Sequence, residues 1–180
     1  DCALTIRDAA MAGLCGGSIE DSTGDKRNPI HDKSAAVERI RAAVEASRAA
    51  PGGFVLTARA EAFLHGDAIL AEVISRLQAF DEAGADVLFA PGLPNLDAVA
   101  AVCSSVTKPV NVLVLGALAA HSVEDFAKAG VARLSLGGAL ANAAYGALVE
   151  TAQEIKRSRT FAALGARRDA IKSFKRIIGD

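Results

Sequence analysis

Four ionisable residues close two short apolar runs, and their types set the chemistry open to them. Gly16-Gly17-Ser18-Ile19-Glu20-Asp21 and Phe54-Val55-Leu56-Thr57-Ala58-Arg59-Ala60-Glu61 each read as a strand with charge at its end. In a parallel α/β barrel the carboxyl ends of the strands open on one face, and reactive groups gather there. Glu20, Asp21, Arg59 and Glu61 would converge on a small anionic substrate, with a metal if a carboxylate is free to hold one. A glutamate at such a place can take Mg²⁺ directly or through water, because hard cations choose oxygen ligands and Mg²⁺ keeps several waters. An arginine stem among strand residues is costly unless its guanidinium meets an anion. Arg59 could clamp a carboxylate or phosphonate in bidentate fashion, pair with Glu61 or Glu20, or do both, with the glutamate orienting it. Glu20 and Asp21 could equally cap the following loop or pair with a nearby cation.

Other polar residues are less pointed. Asn111 is the only polar residue of Val110–Leu115, and a buried amide needs partners, either in a site or on the backbone. Ser135, Gly137 and Gly138 end one apolar run and open a helix, where backbone amides can hold an anion. His31, His65 and His121 are scattered and read as surface or capping residues. No Ser/His/Asp arrangement, P-loop or dinucleotide fingerprint occurs, and Gly13-Leu14-Cys15-Gly16-Gly17 precedes a strand, the wrong order for a Rossmann turn.

The elements that must position these residues alternate. Strands are predicted near residues 18, 56, 87, 112 and 134, with helices over 3–12, 34–49, 70–80, around 99–102, over 122–128 and 139–156, and at the C-terminus. Ser34, Asp67 and Ser122 stand where helix caps are expected, Ser122 with Asp125 at capping-box spacing. Residues 22–33 form a polar loop in which Lys26, Arg27 and His31 could gate a site. Strand runs such as Val110–Leu115 are apolar throughout, as in strands covered on both faces. Five parallel strands do not close a barrel, which needs eight, so the pattern is an open doubly wound sheet or the later part of a barrel.

Composition narrows the function classes. The 180 residues are 51% hydrophobic but only 4% aromatic, with a net charge of −1. No global basic field draws nucleic acid or an anionic membrane; the basic cluster Arg167, Arg168, Lys172, Lys175 and Arg176 reads as a solvated helix face. Three cysteines without metal-ligand spacing read as reduced thiols, Cys15 and Cys103 in the core, and a cytoplasmic setting is expected. No apolar run is long enough to span a bilayer.

Taken together, residues 12–22 (Ala-Gly-Leu-Cys-Gly-Gly-Ser-Ile-Glu-Asp-Ser), 57–63 (Thr-Ala-Arg-Ala-Glu-Ala-Phe), 83–92 (Ala-Gly-Ala-Asp-Val-Leu-Phe-Ala-Pro-Gly) and 133–138 (Arg-Leu-Ser-Leu-Gly-Gly) resemble the isocitrate lyase/phosphoenolpyruvate mutase superfamily, on its phosphoenolpyruvate mutase-like branch. The resemblance implies an α/β fold, a (β/α)8 TIM-type barrel of which about the last five strand–helix units are present. It makes residues 1–180 a single domain, the C-terminal part of the barrel, in a homo-oligomer, dimer or tetramer, whose terminal helical segment 157–180 packs either on a partner subunit or on its own barrel. It implies a Mg²⁺ (or Mn²⁺) enzyme that makes or breaks a C–C or P–C bond of a small 2-oxo acid or phosphonate through an enolate-like intermediate. Glu20 matches the metal-site glutamate, acting through water, and Arg59 the substrate-binding arginine. Asp21 and Glu61 match the neighbouring acids, Asp21 as a second metal candidate and Glu61 as a substrate-side one; Asn111 aligns with a substrate contact.

Two departures qualify the resemblance. The Asp-rich motif that supplies the family's main metal carboxylates is expected upstream of residue 3, with at least three strands. The family's lyases also carry a Lys-Lys/Arg-Cys-Gly-His segment after the Ile-Glu-Asp strand, whereas residues 21–33 contain no Cys. This argues against isocitrate or methylisocitrate cleavage and leaves phosphonomutase-, phosphonopyruvate hydrolase- or oxaloacetate decarboxylase-like chemistry. The alternatives are a non-catalytic barrel serving as scaffold or oligomerisation protein, and a phosphate-binding barrel enzyme of another type that uses Gly137-Gly138.

Overall fold

Strands and helices alternate as their periodicities dictate. The computed structural model describes residues 2–66, 68–165 and 168–179. The chain forms two compact units, residues 1–135 and 136–180. The first runs α1 (Cys2–Met11), β1 (Gly16–Glu20), α2 (Lys33–Arg48), β2 (Val55–Arg59), α3 (Leu70–Glu82), β3 (Val87–Phe89), α4 (Leu96–Ser105), β4 (Val110–Leu113), α5 (Val123–Lys128) and β5 (Arg133–Ser135), with 3-10 turns at Ala62–Leu64 and Gly116–Ala120.

All five strands are parallel, in the order β1-β2-β3-β4-β5. The period of two sorts their side chains between faces. Leu56, Ala58, Leu88, Val110 and Val112 belong to a buried core with Ile40, Leu77, Phe80, Val99 and Phe126 of the helices. Their alternates, Ser18, Thr57, Arg59, Phe89, Asn111 and Arg133, line a pocket. One register row carries Glu20, Arg59, Phe89, Asn111 and Arg133, so residues far apart in sequence stand side by side.

Helix α3 buries Val73, Leu77 and Phe80 of its apolar stripe, while α2 buries Ala36, Ile40, Ala43 and Ser47, with Val37 and Val44 of its expected Val37, Ile40, Val44 stripe only half-buried against the core. Each fully buried Leu or Phe contributes about 1.5–3 kcal/mol. The capping box of α5 forms as expected: Ser122 Oγ accepts from the Asp125 N–H, and Asp125 accepts from the Ser122 N–H. Asn95 caps α4 by accepting from the Ala98 N–H at 2.9 Å.

Two expected caps differ. Ser34 lies inside the first turn of α2, the N-cap position is Asp32, and no side-chain cap bond forms. Asp67 lies outside the described residues, and α3 starts after Ile69 without a side-chain cap. Strand β2 also runs one residue further than its apolar pattern, taking in Arg59. Cys103 is half-buried, and burial raises its thiol pKa. Cys15, expected in the core, is exposed, because β1 begins after it.

The motif at 83–92 has a mechanical reading. Gly84 ends the α3 segment with φ +98°, where a Cβ would also meet Val44 Cγ1 at 3.2 Å. Asp86 then accepts from the Leu56 N–H at 2.8 Å and from Arg48 at 2.8 Å, latching the entry of β3 to β2.

The second unit holds α6 (Ala139–Ser158), α7 (Ala162–Gly165) and α8 (Arg168–Ile178). Arg159 ends α6 in the left-handed region at φ 54°, its N–H donating to the Ile155 carbonyl. Tyr145, Leu148, Phe174 and Ile177 are exposed, as are Lys175 and Arg176 of the basic cluster. Arg167 and the side chains of Arg168, Ile171 and Ile178 lie outside the described residues. Among the described residues no helix is long and apolar enough to cross a membrane.

Candidate functional site

Arg59 organises the site because its strand position leaves its guanidinium between two acids and a ring. Its Nε donates to Glu61 Oε1 at 2.8 Å, its NH1 stands 3.6 Å from Glu20 Oε2, and its Cζ lies 5.1 Å from the centroid of Phe89. Both pairings considered from the sequence are therefore present, and a cation–π contact joins them. The Glu61 bond takes the Nε edge. The terminal nitrogens make no hydrogen bond to a described residue, since Glu20 is beyond hydrogen-bond reach.

The two outer acids differ in setting. Glu20 is half-exposed at the end of β1, with Arg39 donating to its backbone carbonyl at 3.3 Å. Glu61 is buried just past β2; desolvation raises its carboxyl pKa, and the Arg59 charge opposes that rise. Burying a carboxylate is tolerable where a guanidinium meets it directly.

Asp21 is buried too, with burial raising its pKa against the Glu61 N–H and Arg76. Its Oδ1 accepts from the Glu61 N–H at 2.8 Å. Its Oδ2 lies 3.3 Å from Arg76 Nε, an ion-pair contact without hydrogen-bond alignment. The structure thus places Asp21 behind the site, holding the backbone that presents Glu61.

Asn111 faces the pocket. Its Nδ2 donates to Ser135 Oγ at 3.0 Å, and Ser135 Oγ donates to the Val112 carbonyl at 3.2 Å. Asn111 Oδ1 is buried without a hydrogen-bond partner among the described residues. Such an atom carries a desolvation cost of about 1–3 kcal/mol unless a donor reaches it. Three of the residues singled out from sequence, Arg59, Asn111 and Ser135, line this one pocket of about 450 Å³. Glu20 and Glu61 reach it through Arg59, and Gly137 and Gly138 belong to the other unit.

A larger pocket of about 670 Å³ lies between the stem of the 22–33 loop and α3, lined by Ile30, Lys33, Ile69, Glu72 and Arg76 among others. It does not include Arg59 or Asn111, so the smaller pocket is the candidate site. The histidines take no part: His121 packs edge-on against Phe126 with centroids 6.2 Å apart, and the His31 backbone ties down the loop. Sequence reasoning missed Arg133 and Arg76. Arg133 was signalled by its two-residue spacing from Ser135; Arg76 interrupts an otherwise apolar stripe beside Leu77.

Among the described residues no group of three or more His, Cys, Asp or Glu side chains is placed to hold a metal ion. Glu20 can offer one oxygen, directly or through water. Asp21 has one oxygen taken by a backbone amide and the other facing Arg76. These residues fit a single ligand position and not a complete coordination shell.

The parallel α/β sheet thus brings an arginine and an amide together at one face, with a glutamate fixing the arginine. The chain belongs to the phosphoenolpyruvate phosphomutase family, whose model matches residues 1–156. It is 34% identical over 139 residues to 2-methylisocitrate lyase of Escherichia coli (strain K12), covering 72% of this chain and 45% of that protein. A crystal structure from Burkholderia cenocepacia J2315, provisionally named a lyase/mutase, is 50% identical with TM-score 0.88, covering 96% of this chain and 63% of that one. A second from the same organism, provisionally named a phosphonomutase, is 29% identical with TM-score 0.76, covering 84% and 64%. The chain therefore spans about half to two thirds of the length of these relatives. Its five-stranded sheet is the corresponding arc of a TIM-type barrel.

Proposed function

We propose that the protein is a Mg²⁺-dependent enzyme of the lyase/mutase type. It makes or breaks a C–C or P–C bond of a small 2-oxo acid or phosphonate through an enolate-like intermediate. The observation that carries this reading is the state of Arg59: oriented by Glu61 at 2.8 Å on one edge, it keeps terminal nitrogens without a hydrogen-bond partner among the described residues. A guanidinium held this way is preorganised for an anion, and fixed positive charge aimed at developing negative charge is an effective source of rate. Asn111, with Nδ2 committed and Oδ1 open, supplies a neutral acceptor for a donor on the substrate. Bound Mg²⁺ would stabilise negative charge on the substrate's oxygens, and Glu20 would hold one of its ligand positions through water. The loop after β1 contains no cysteine, which favours substrates other than isocitrate or methylisocitrate.

The test is pyruvate release by the intact protein from oxaloacetate and from phosphonopyruvate, followed by a lactate dehydrogenase couple with and without Mg²⁺. Metal-dependent turnover of one of them is expected, with Arg59→Ala lowering kcat/KM by about a hundredfold or more. Turnover unchanged in Arg59→Ala would remove the arginine from the reaction. Absence of Mg²⁺-dependent turnover on both would count against these two reactions.

A further inference from the structure

Arg76 lies on α3, outside the candidate pocket, yet it is bound into the same network. Its side chain is 17% exposed and meets an Asp21 side chain that is 0% exposed. Arg76 NH1 donates to the His31 carbonyl at 2.9 Å, at the stem of the 22–33 loop. Its Nε faces Asp21 Oδ2 at 3.3 Å. Asp21 joins three segments: its N–H donates to the Arg59 carbonyl at 3.2 Å, its carbonyl accepts from the His31 N–H at 2.8 Å, and its Oδ1 accepts from the Glu61 N–H at 2.8 Å. Glu61 in turn holds Arg59 Nε at 2.8 Å. A continuous path of charged and backbone contacts thus runs from the loop stem, through Arg76 and Asp21, to the edge of Arg59.

We infer that Arg76 is a positioning residue that couples the anchoring of the 22–33 loop to the angle at which Arg59 presents its guanidinium. The inference rests on the proposed role of Arg59 as the anion clamp. Asp21 Oδ2 is buried with no hydrogen-bond partner among the described residues, so Arg76 supplies the charge that faces it. Without that charge the buried carboxylate is uncompensated, and it turns toward other donors. That turn weakens the acceptor that fixes the Glu61 backbone, and a loosened Glu61 no longer fixes Arg59. The same loss frees the His31 carbonyl. The loop itself is closed by contacts independent of Arg76, including the Ser22–Ile30 bridge and the Thr23 N–H to Pro29 carbonyl bond at 2.8 Å. It would therefore move as a unit on its stem.

The test uses the intact protein as wild type, Arg76→Met, Arg76→Lys, the double variant Asp21→Asn/Arg76→Met, and Arg59→Ala as the control for the clamp. One readout is calorimetric titration with oxalate in Mg²⁺, oxalate being a planar dianion with the charge of the enolate of a simple 2-oxo acid. The other needs no ligand: the initial rate of trypsin cleavage after Lys26 and Arg27 in the exposed loop, which follows local opening. Arg76→Met is expected to weaken oxalate by about tenfold or more, the usual effect of removing an outer partner of a site, and to speed loop cleavage. Arg76→Lys should restore part of both, and the double variant should recover melting temperature over Arg76→Met without recovering loop protection. Arg76→Met that lowers only the melting temperature, leaving affinity and cleavage at wild-type values, would overturn the inference. If wild-type protein binds no oxalate while Arg76→Met still speeds cleavage, the anion-clamp reading fails and the coupling to Arg59 fails with it. If wild type binds oxalate and loses it only on Arg59→Ala, the clamp stands and Arg76 is structural.

Discussion

Removing Asp86 tests whether the latch between β2 and β3 stabilises the sheet. Its carboxylate accepts from the Leu56 N–H at 2.8 Å and from Arg48 at 2.8 Å. Leu56 is 0% exposed, so in Asp86→Ala its amide loses an acceptor that water cannot readily replace. That loss costs about 1–3 kcal/mol. The Arg48 pair is partly exposed and adds at most about 1 kcal/mol. Asp86→Ala should therefore cost about 1–4 kcal/mol in all. Asp86→Asn keeps a carbonyl for the Leu56 N–H and gives up only the charge facing Arg48, so it should cost less than about 1 kcal/mol. Urea unfolding followed by far-ultraviolet circular dichroism reads both variants as midpoint shifts at constant slope. Equal losses in the two variants would refute the reasoning, because the ion pair and not the amide acceptor would then carry the effect. A loss below about 1 kcal/mol in Asp86→Ala would equally refute it.

Two further outcomes follow from the helices. Leu77→Ala empties a fully buried position of α3 and should cost about 2–5 kcal/mol by calorimetric melting. Ser122→Ala removes the α5 cap and should cost about 1 kcal/mol. The same cap has a pH signature. Hydrogen bonds from the Ser122 N–H and hydroxyl hold the Asp125 carboxyl below its ordinary 3.8. A lowered carboxyl pKa adds stability above 3.8 that is lost as pH falls through the folded-state value. The stability gap between wild type and Ser122→Ala should therefore narrow in acid below 3.8, as read by melting temperature against pH.

What the sequence showed and what it hid divide along the range of the interactions. The five strands, the buried stripe of α3 and the Ser122–Asp125 box were legible because each depends on residues a few positions apart. Arg59 was legible as an arginine needing anions, since the cost of burying a cation holds wherever it sits. Its simultaneous contacts with Glu61, Glu20 and Phe89 required the register of three strands. Asp21 looked like a free acid beside Glu20, but the end of β1 turns it toward Arg76 and the Glu61 amide. Arg76 escaped notice because its partner lies across the fold, and nothing local marks it as more than a polar interruption. The cap of α2 failed at Ser34 because a side-chain preference cannot say which residue the chain turns at.

The strand order carries a consequence for how the chain is made. Each strand hydrogen-bonds only to the strands before and after it in sequence, with no crossover that skips a neighbour. Among these five strands no pairing has to wait for a distant segment. Each strand added also comes with the helix that covers it, which limits the time its apolar face meets water. Emerging from the ribosome one residue at a time, such a chain can add each unit to the last without undoing earlier pairings. Synthesis and folding can then share one direction, and a rare-codon pause after any of these units would hold the growing chain at a point where its pairings are already satisfied on one side.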